Sequence, residues 1–242
     1  AREEADKADR TVLVAGSVGP TGELFEPLGE LTHEAAVASF TEQMVGLKEG
    51  GADVLWIETM SAVEEINAAA EAARNVGMDY IFTASFDTAG RTMMGLPPKG
   101  LTNLRSEFAC TPVAIGSNCG VGASDLLAAV LEITAADPEA IVVAKGNCGI
   151  PQIKGKDLIY SGTPDLMADY ARLAMDAGAR IIGGCCGTSA THLAAMRQAI
   201  DNHEKAERPT VDLVVSRIGP LVSPPNKAAE ENAGKRRTRR RG

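Results

Sequence analysis

The stretch "IIGGCCGTS", residues 181–189, sets two cysteines side by side after an apolar run and two glycines. Packing seldom needs neighbouring thiols, and a disulfide between them is strained, so the pattern points to thiol chemistry. A third cysteine, Cys119, stands far upstream in "GSNCG". Cys119, Cys185 and Cys186 gathered as thiolates on one Zn2+ leave a fourth tetrahedral position open, the arrangement of a catalytic zinc. The glycines of "GGCCG" permit the backbone turn that aims neighbouring side chains at one ion. Inert packing and a vicinal redox pair are the other readings of the CC pair. Cys148 in "GNCGIP" reads as a pocket-lining residue, with a fourth thiol ligand as the other reading, and Cys110 as an inert cysteine on a helix.

Glu58 closes an otherwise apolar run, "DVLWIET". It is either a carboxylate capping a helix at the rim or the group that holds a substrate's amino function. Trp56, two residues earlier, suits the filling of a barrel interior better than the binding of a ligand. His33, His192 and His203 fall in expected helices and face solvent. "GSVGPTGE" and "GVGAS" are glycine turns ahead of helices, yet neither completes a phosphate-binding fingerprint.

The elements that must position these residues alternate along the chain. Apolar runs at 11–19, 53–59, 80–87, 113–119, 141–148 and 180–186 read as strands, each followed by a helical pattern. Thr32 caps the first of these helices, and Ser61 opens a capping box with Glu64 in the second. Units of about 30 residues are βα steps of a parallel sheet, and strands apolar at successive positions suit a sheet covered on both faces. The reactive and polar residues, Ser17, Glu58, Asp87, Asn118, Cys119, Asn147, Cys148, Cys185 and Cys186, all fall at strand C-termini. A site drawn from nearly every strand end belongs to a barrel, whereas an open doubly wound sheet concentrates its site at one switch point. The expected fold is therefore an α/β (β/α)8 TIM barrel of which six βα units are present. The first two units are expected to be missing, with residues 1–10 as the tail of the second helix and two strands needed to close the ring.

Composition sets the class. The chain has 242 residues, 45% of them hydrophobic, enough for a substantial core. It contains no run of about 18 apolar residues, so no membrane span is expected. Five cysteines, an odd number, do not form a disulfide framework, and a reducing cytoplasm is the expected location. A net charge of −8 argues against nucleic-acid binding by the folded body, since the excess basic charge gathers in "KRRTRRRG" at the end. The expected division is a barrel domain over 1–218 and a disordered basic tail over 219–242.

The motifs "VAGSVGPTGE", "WIETM", "GSNCGVG", "GNCGIP" and "IIGGCCGT" resemble the homocysteine S-methyltransferase family across roughly residues 11–218. The wording of "SFDTAGRTMMGLPPKGL" and "YSGTPDLMADYARLAMDAGARIIGGCCGT" is most similar to the betaine–homocysteine type from bacteria. The resemblance implies a (β/α)8 barrel in which Cys119, Cys185 and Cys186 ligate zinc and Glu58 contacts the amino group of homocysteine. It implies small-molecule partners, homocysteine and betaine, with methionine and dimethylglycine as products. S-methylmethionine and a methylated corrinoid or folate are the alternative donors. A redox or metal-buffering thiol protein is the alternative of a different class. The family's Asp-Gly and Asn-Ser/Thr-Phe strand-end motifs do not occur in these residues, which fits the expected absence of two units. A homo-oligomer is compatible with the sequence, which does not specify it.

Overall fold

A computed structural model of the chain describes residues 1–108 and 111–225. Cys110 and the basic end of the tail, 226–242, lie outside the described residues.

Six parallel strands form one sheet: β1 (Ala15–Val18), β2 (Val54–Met60), β3 (Tyr80–Ala84), β4 (Ala114–Cys119), β5 (Val142–Gly146) and β8 (Ile181–Gly184). Their spatial order is their sequence order, β1-β2-β3-β4-β5-β8. A doubly wound sheet reverses order at its switch point, so the unbroken progression belongs to consecutive units of a (β/α) barrel. The helices between strands are α2 (His33–Glu49), α3 (Val63–Val76), α4 (Gly100–Glu107), α5 (Ala123–Ala136) and α6 (Pro164–Asp176). A short α1 (Arg2–Asp6) precedes the sheet, and α7 (Ala190–Asp201) and α8 (Val211–Ile218) follow it.

Alternation along the strands divides the apolar residues into two cores. Ile81, Ala114 and Val143 cluster with Val54, Trp56 and Ile181 on the inner, lumen side. Their neighbours Leu55, Ile57, Phe82, Ile115, Val142 and Ala144 join the larger core beneath the helices. This is the two-faced burial that continuous apolar strands imply. On the inner face the period of two then places Ser17, Glu58, Thr83, Asn118 and Lys145 within the lumen, while Phe82 is fully buried on the outer face against Phe108, with ring centroids 5.7 Å apart.

Local signals behave mostly as the sequence implies. Thr32 caps α2 by accepting a hydrogen bond from the Ala35 amide, and Thr163 caps α6 with proline in the first turn. Ser61 does not cap α3: the cap position is Ala62, and the Ser61 carbonyl instead accepts a hydrogen bond from Thr92 Oγ1. The long loop expected after β5 contains an antiparallel hairpin, β6 (Pro151–Lys154) with β7 (Asp157–Tyr160). Gly155, at φ +68°, turns the chain between two strands too short to declare themselves by periodicity.

The segment after α7 packs back onto the body. Arg208 reaches the carbonyls of Leu131 and Ala177, tying the segment after α7 to α5 and α6. Asp125, in the first turn of α5, accepts hydrogen bonds from the amides of Val222 and Ser223. The start of the segment assigned to the tail is thus docked as far as Ser223. No helix among the described residues is long and apolar enough to cross a membrane.

Because Phe82 fills the outer core, Phe82→Ala is expected to destabilise the chain by about 3–5 kcal/mol. Urea unfolding followed by circular dichroism checks this, and a loss below about 1 kcal/mol would contradict the two-faced packing.

Candidate metal centre

The thiols meet because β4, β5 and β8 run in register. Cys119 pairs with Gly146, and Gly146 pairs with Gly184, so the ends of β4 and β8 lie level with one strand between them. The turn after β8 is stitched to β5: the Cys185 amide donates to the Gly146 carbonyl at 2.7 Å, and the Cys148 amide to the Cys186 carbonyl at 2.9 Å. Cys119 holds φ +61°, a left-handed conformation that costs a non-glycine residue about 1–3 kcal/mol and recurs at functional sites. The result is a triad whose sulfurs all lie within 4.8 Å of one another. Cys119 Sγ stands 3.9 Å from Cys186 Sγ, and Cys185 Sγ stands 4.0 Å from it. A tetrahedral ion with bonds of about 2.3 Å to sulfur needs sulfurs about 3.8 Å apart. The spacing fits a zinc-like ion and excludes a disulfide, and the thiols are free.

Two buried asparagines hold this arrangement. Asn118 donates to Thr59 Oγ1 at 2.7 Å, while its Oδ1 accepts from the Thr59 amide and from Thr83 Oγ1. The network continues to the Trp56 indole, which donates to Thr83 Oγ1. Asn147 donates to the Gly120 carbonyl and accepts from the Cys186 amide, bridging the two cysteine turns. Buried amides satisfied on both ends fix a single geometry, as outer-shell partners of metal ligands do. Gly187 completes the turn at φ +76°, and a Cβ there would fall 2.2 Å from the Tyr160 ring on β7.

Electrostatics favour a cation. The Cys185 thiol is pulled down to about 5, chiefly by hydrogen bonding from Cys119 and further by the charge of Lys145. Cys119 is pushed up, first by that same hydrogen bond, then by burial and by the negative charge of Cys185 and Cys186. Three sulfurs this close cannot all ionise by themselves, and a divalent cation removes that conflict.

The structure brings Cys119, Cys185 and Cys186 together and leaves Cys148 out. Cys148 is buried, with its Sγ donating to the Gly162 carbonyl. Glu58 sits on the lumen face, where Oε1 accepts from Ser17 Oγ and Oε2 pairs with Lys145 Nζ, each at 2.5 Å. His192 engages Ser189 in a capping box at the start of α7. His33 pairs with Glu71, and His203 follows α7 and meets Asp176 in a largely buried contact rather than facing solvent. Two residues were not singled out from the sequence. Lys145 interrupts the apolar run "IVVAKG", a signal as plain as that of Glu58, whereas Tyr160 lies on a hairpin that the sequence does not announce.

A family model described as homocysteine S-methyltransferase matches residues 1–200. Among solved structures, the chain is similar to the homocysteine methyltransferase MmuM from Escherichia coli in its apo, metallated and oxidized forms. Identity is 28% in each case, over 81% of this chain, with TM-scores of 0.63, 0.64 and 0.65. The chain covers 65%, 64% and 65% of those three chains.

Substituting alanine at Cys119, Cys185 or Cys186 is expected to abolish stoichiometric zinc binding, whereas Cys148→Ala keeps it. Asn147→Ala, which leaves all ligands in place, is expected to weaken zinc about 10- to 100-fold. Competition against a chromophoric chelator measures both, and an unchanged affinity in Cys119→Ala would contradict the triad.

Proposed function

The chain belongs to the homocysteine S-methyltransferase family, and on that premise we propose that it transfers a methyl group from betaine to the sulfur of homocysteine, giving methionine and dimethylglycine. The reading is carried by the three sulfurs converging at tetrahedral spacing on the strand ends. Cys119, Cys185 and Cys186 are the groups that would hold zinc. Zinc bound there would supply the positive charge that keeps the homocysteine sulfur a thiolate at neutral pH.

The chain's own residues supply the rest. Glu58 lies in the lumen and is the acceptor for the α-ammonium of homocysteine. Its two oxygens offer about four acceptor positions, so the contacts with Ser17 and Lys145 leave room for a further donor. Methyl transfer forms a carbon–sulfur bond as the carbon–nitrogen bond of the quaternary ammonium breaks. The electron pair stays on nitrogen, the amine leaves neutral, and no general acid is required. Such a donor suits an aromatic wall, because the cation is attracted to a ring face. Trp56 is a poor candidate, since its ring faces Lys145 Nζ, 5.1 Å from the centroid. Tyr160, packed over the Gly187 turn next to Cys186, is the better one. Small molecules are the expected partners, and a reducing cytoplasm suits three free thiols.

A panel of donors assayed with homocysteine and the zinc-loaded chain tests the proposal. Methionine is expected from betaine, and its formation from S-methylmethionine or a methylated folate alone would move the donor assignment. Glu58→Gln is expected to raise the Kd for homocysteine by about 10- to 100-fold, equivalent to about 1.5–3 kcal/mol, with zinc content unchanged. Unaltered affinity would return Glu58 to a structural role.

A further inference from the structure

Lys145 is a cation directed into the lumen from β5, and beyond its contact with Glu58 and its pull on the Cys185 thiol it has been given no part in binding substrate. It is register partner to Asn118 and to Gly183, which stand one residue before Cys119 and two before Cys185. Gly183 offers no side chain on the inner face, so the lysine stem passes beside it; a Cβ there would sit 4.0 Å from Lys145 Cγ. Its Nζ meets Glu58 Oε2 on β2 and lies over the Trp56 ring. Lys145 is 24% and Glu58 17% exposed, so the pair is neither a solvated surface bridge nor sealed in the core. A lone lysine in this position is costly to desolvate, and a hydrophobic residue would fill the lumen more cheaply.

We propose that Lys145 is a substrate-specificity residue: with Glu58 it forms a charge pair that reads the zwitterionic head of an α-amino acid thiol, Glu58 taking the ammonium and Lys145 the carboxylate. Opposite charges fixed side by side, just below the thiol triad, are complementary to a ligand whose own opposite charges share one carbon. The lysine ammonium has three donors, of which the contact with Glu58 uses one, so the head group can bind without breaking that contact. Three single bonds separate the sulfur of homocysteine from its α-carbon. A molecule whose sulfur meets the triad therefore carries its head group down into the part of the lumen that this pair occupies. The same geometry discriminates against simple thiols and amines, because either half of the pair would stay unmatched in a partly desolvated site.

This inference rests on homocysteine as the acceptor, and its test separates the two. Calorimetric titration of the zinc-loaded full chain with three thiols is compared for wild type, Lys145→Met and Lys145→Arg. The probes are L-homocysteine, 4-sulfanylbutanoate, which lacks the ammonium, and 3-aminopropanethiol, which lacks the carboxylate. Lys145→Met is expected to weaken homocysteine and 4-sulfanylbutanoate by about 10- to 100-fold while sparing 3-aminopropanethiol, and Lys145→Arg is expected to retain most of the affinity. If Lys145→Met instead weakens both amino-bearing thiols and spares 4-sulfanylbutanoate, Lys145 only positions Glu58 and the proposal is overturned. Equal effects on all three probes, or none, overturn it as well and leave the acceptor assignment intact. Failure of wild type to prefer homocysteine over both analogues removes the acceptor reading, and this inference with it.

Discussion

The site depends on one constraint, the parallel register of three strands. β4 and β8 are not neighbours, and their cysteines face one point only because β5 keeps the two strand ends level. A slip of one residue on either side of β5 would reverse every side chain on the slipped strand and turn its lumen residues toward the helices. The apolar alternation that divides Val142 and Ala144 from Val143 therefore sets the geometry of the thiol triad as well as the core. Hydrogen bonds from the turn after β8 back to β5 carry the register past the last paired residues and into the cysteine pair.

Around that register the lumen changes character along its axis. At one end Ile81, Ala114, Val143 and Ile181 fill it with apolar groups. Toward the strand C-termini it becomes polar in steps, from Trp56 through Thr83 and Asn118 to the thiols, each joined to the next by hydrogen bonds or close contact. Burying those polar groups is tolerable because each has a partner. The left-handed conformation of Cys119, like that of Thr59 on β2, is held by this frame, since the Thr59 amide and hydroxyl both bind Asn118. Strain in the backbone and order in the polar network thus occur together, at the point where the thiols must be aimed.

Much of this was legible in the residues themselves. Strand and helix alternation is written in the apolar runs, and the CC pair with "GSNCG" names the triad without coordinates. Thr32 shows how far a cap can be read from type and spacing. Ser61 shows the limit, because tertiary contact with Thr92 decided where α3 begins. The hairpin at 151–160 was hidden by its short strands, and with it Tyr160. Lys145 was visible as a charge within an apolar run, yet its meaning lies in the opposition of β5 and β2, which no local pattern carries. Asp125 holding the segment near Ser223 is likewise a pairing between positions remote in sequence.

The central claim is that Cys119, Cys185 and Cys186 form one metal centre with a position left for the sulfur of homocysteine. X-ray absorption at the zinc edge, on the anaerobically purified chain with and without homocysteine, addresses it most directly. The account predicts three sulfurs at about 2.3 Å with one lighter ligand, giving way to four sulfurs when homocysteine is added. A zinc shell dominated by nitrogen and oxygen, or one unchanged by homocysteine, would contradict it.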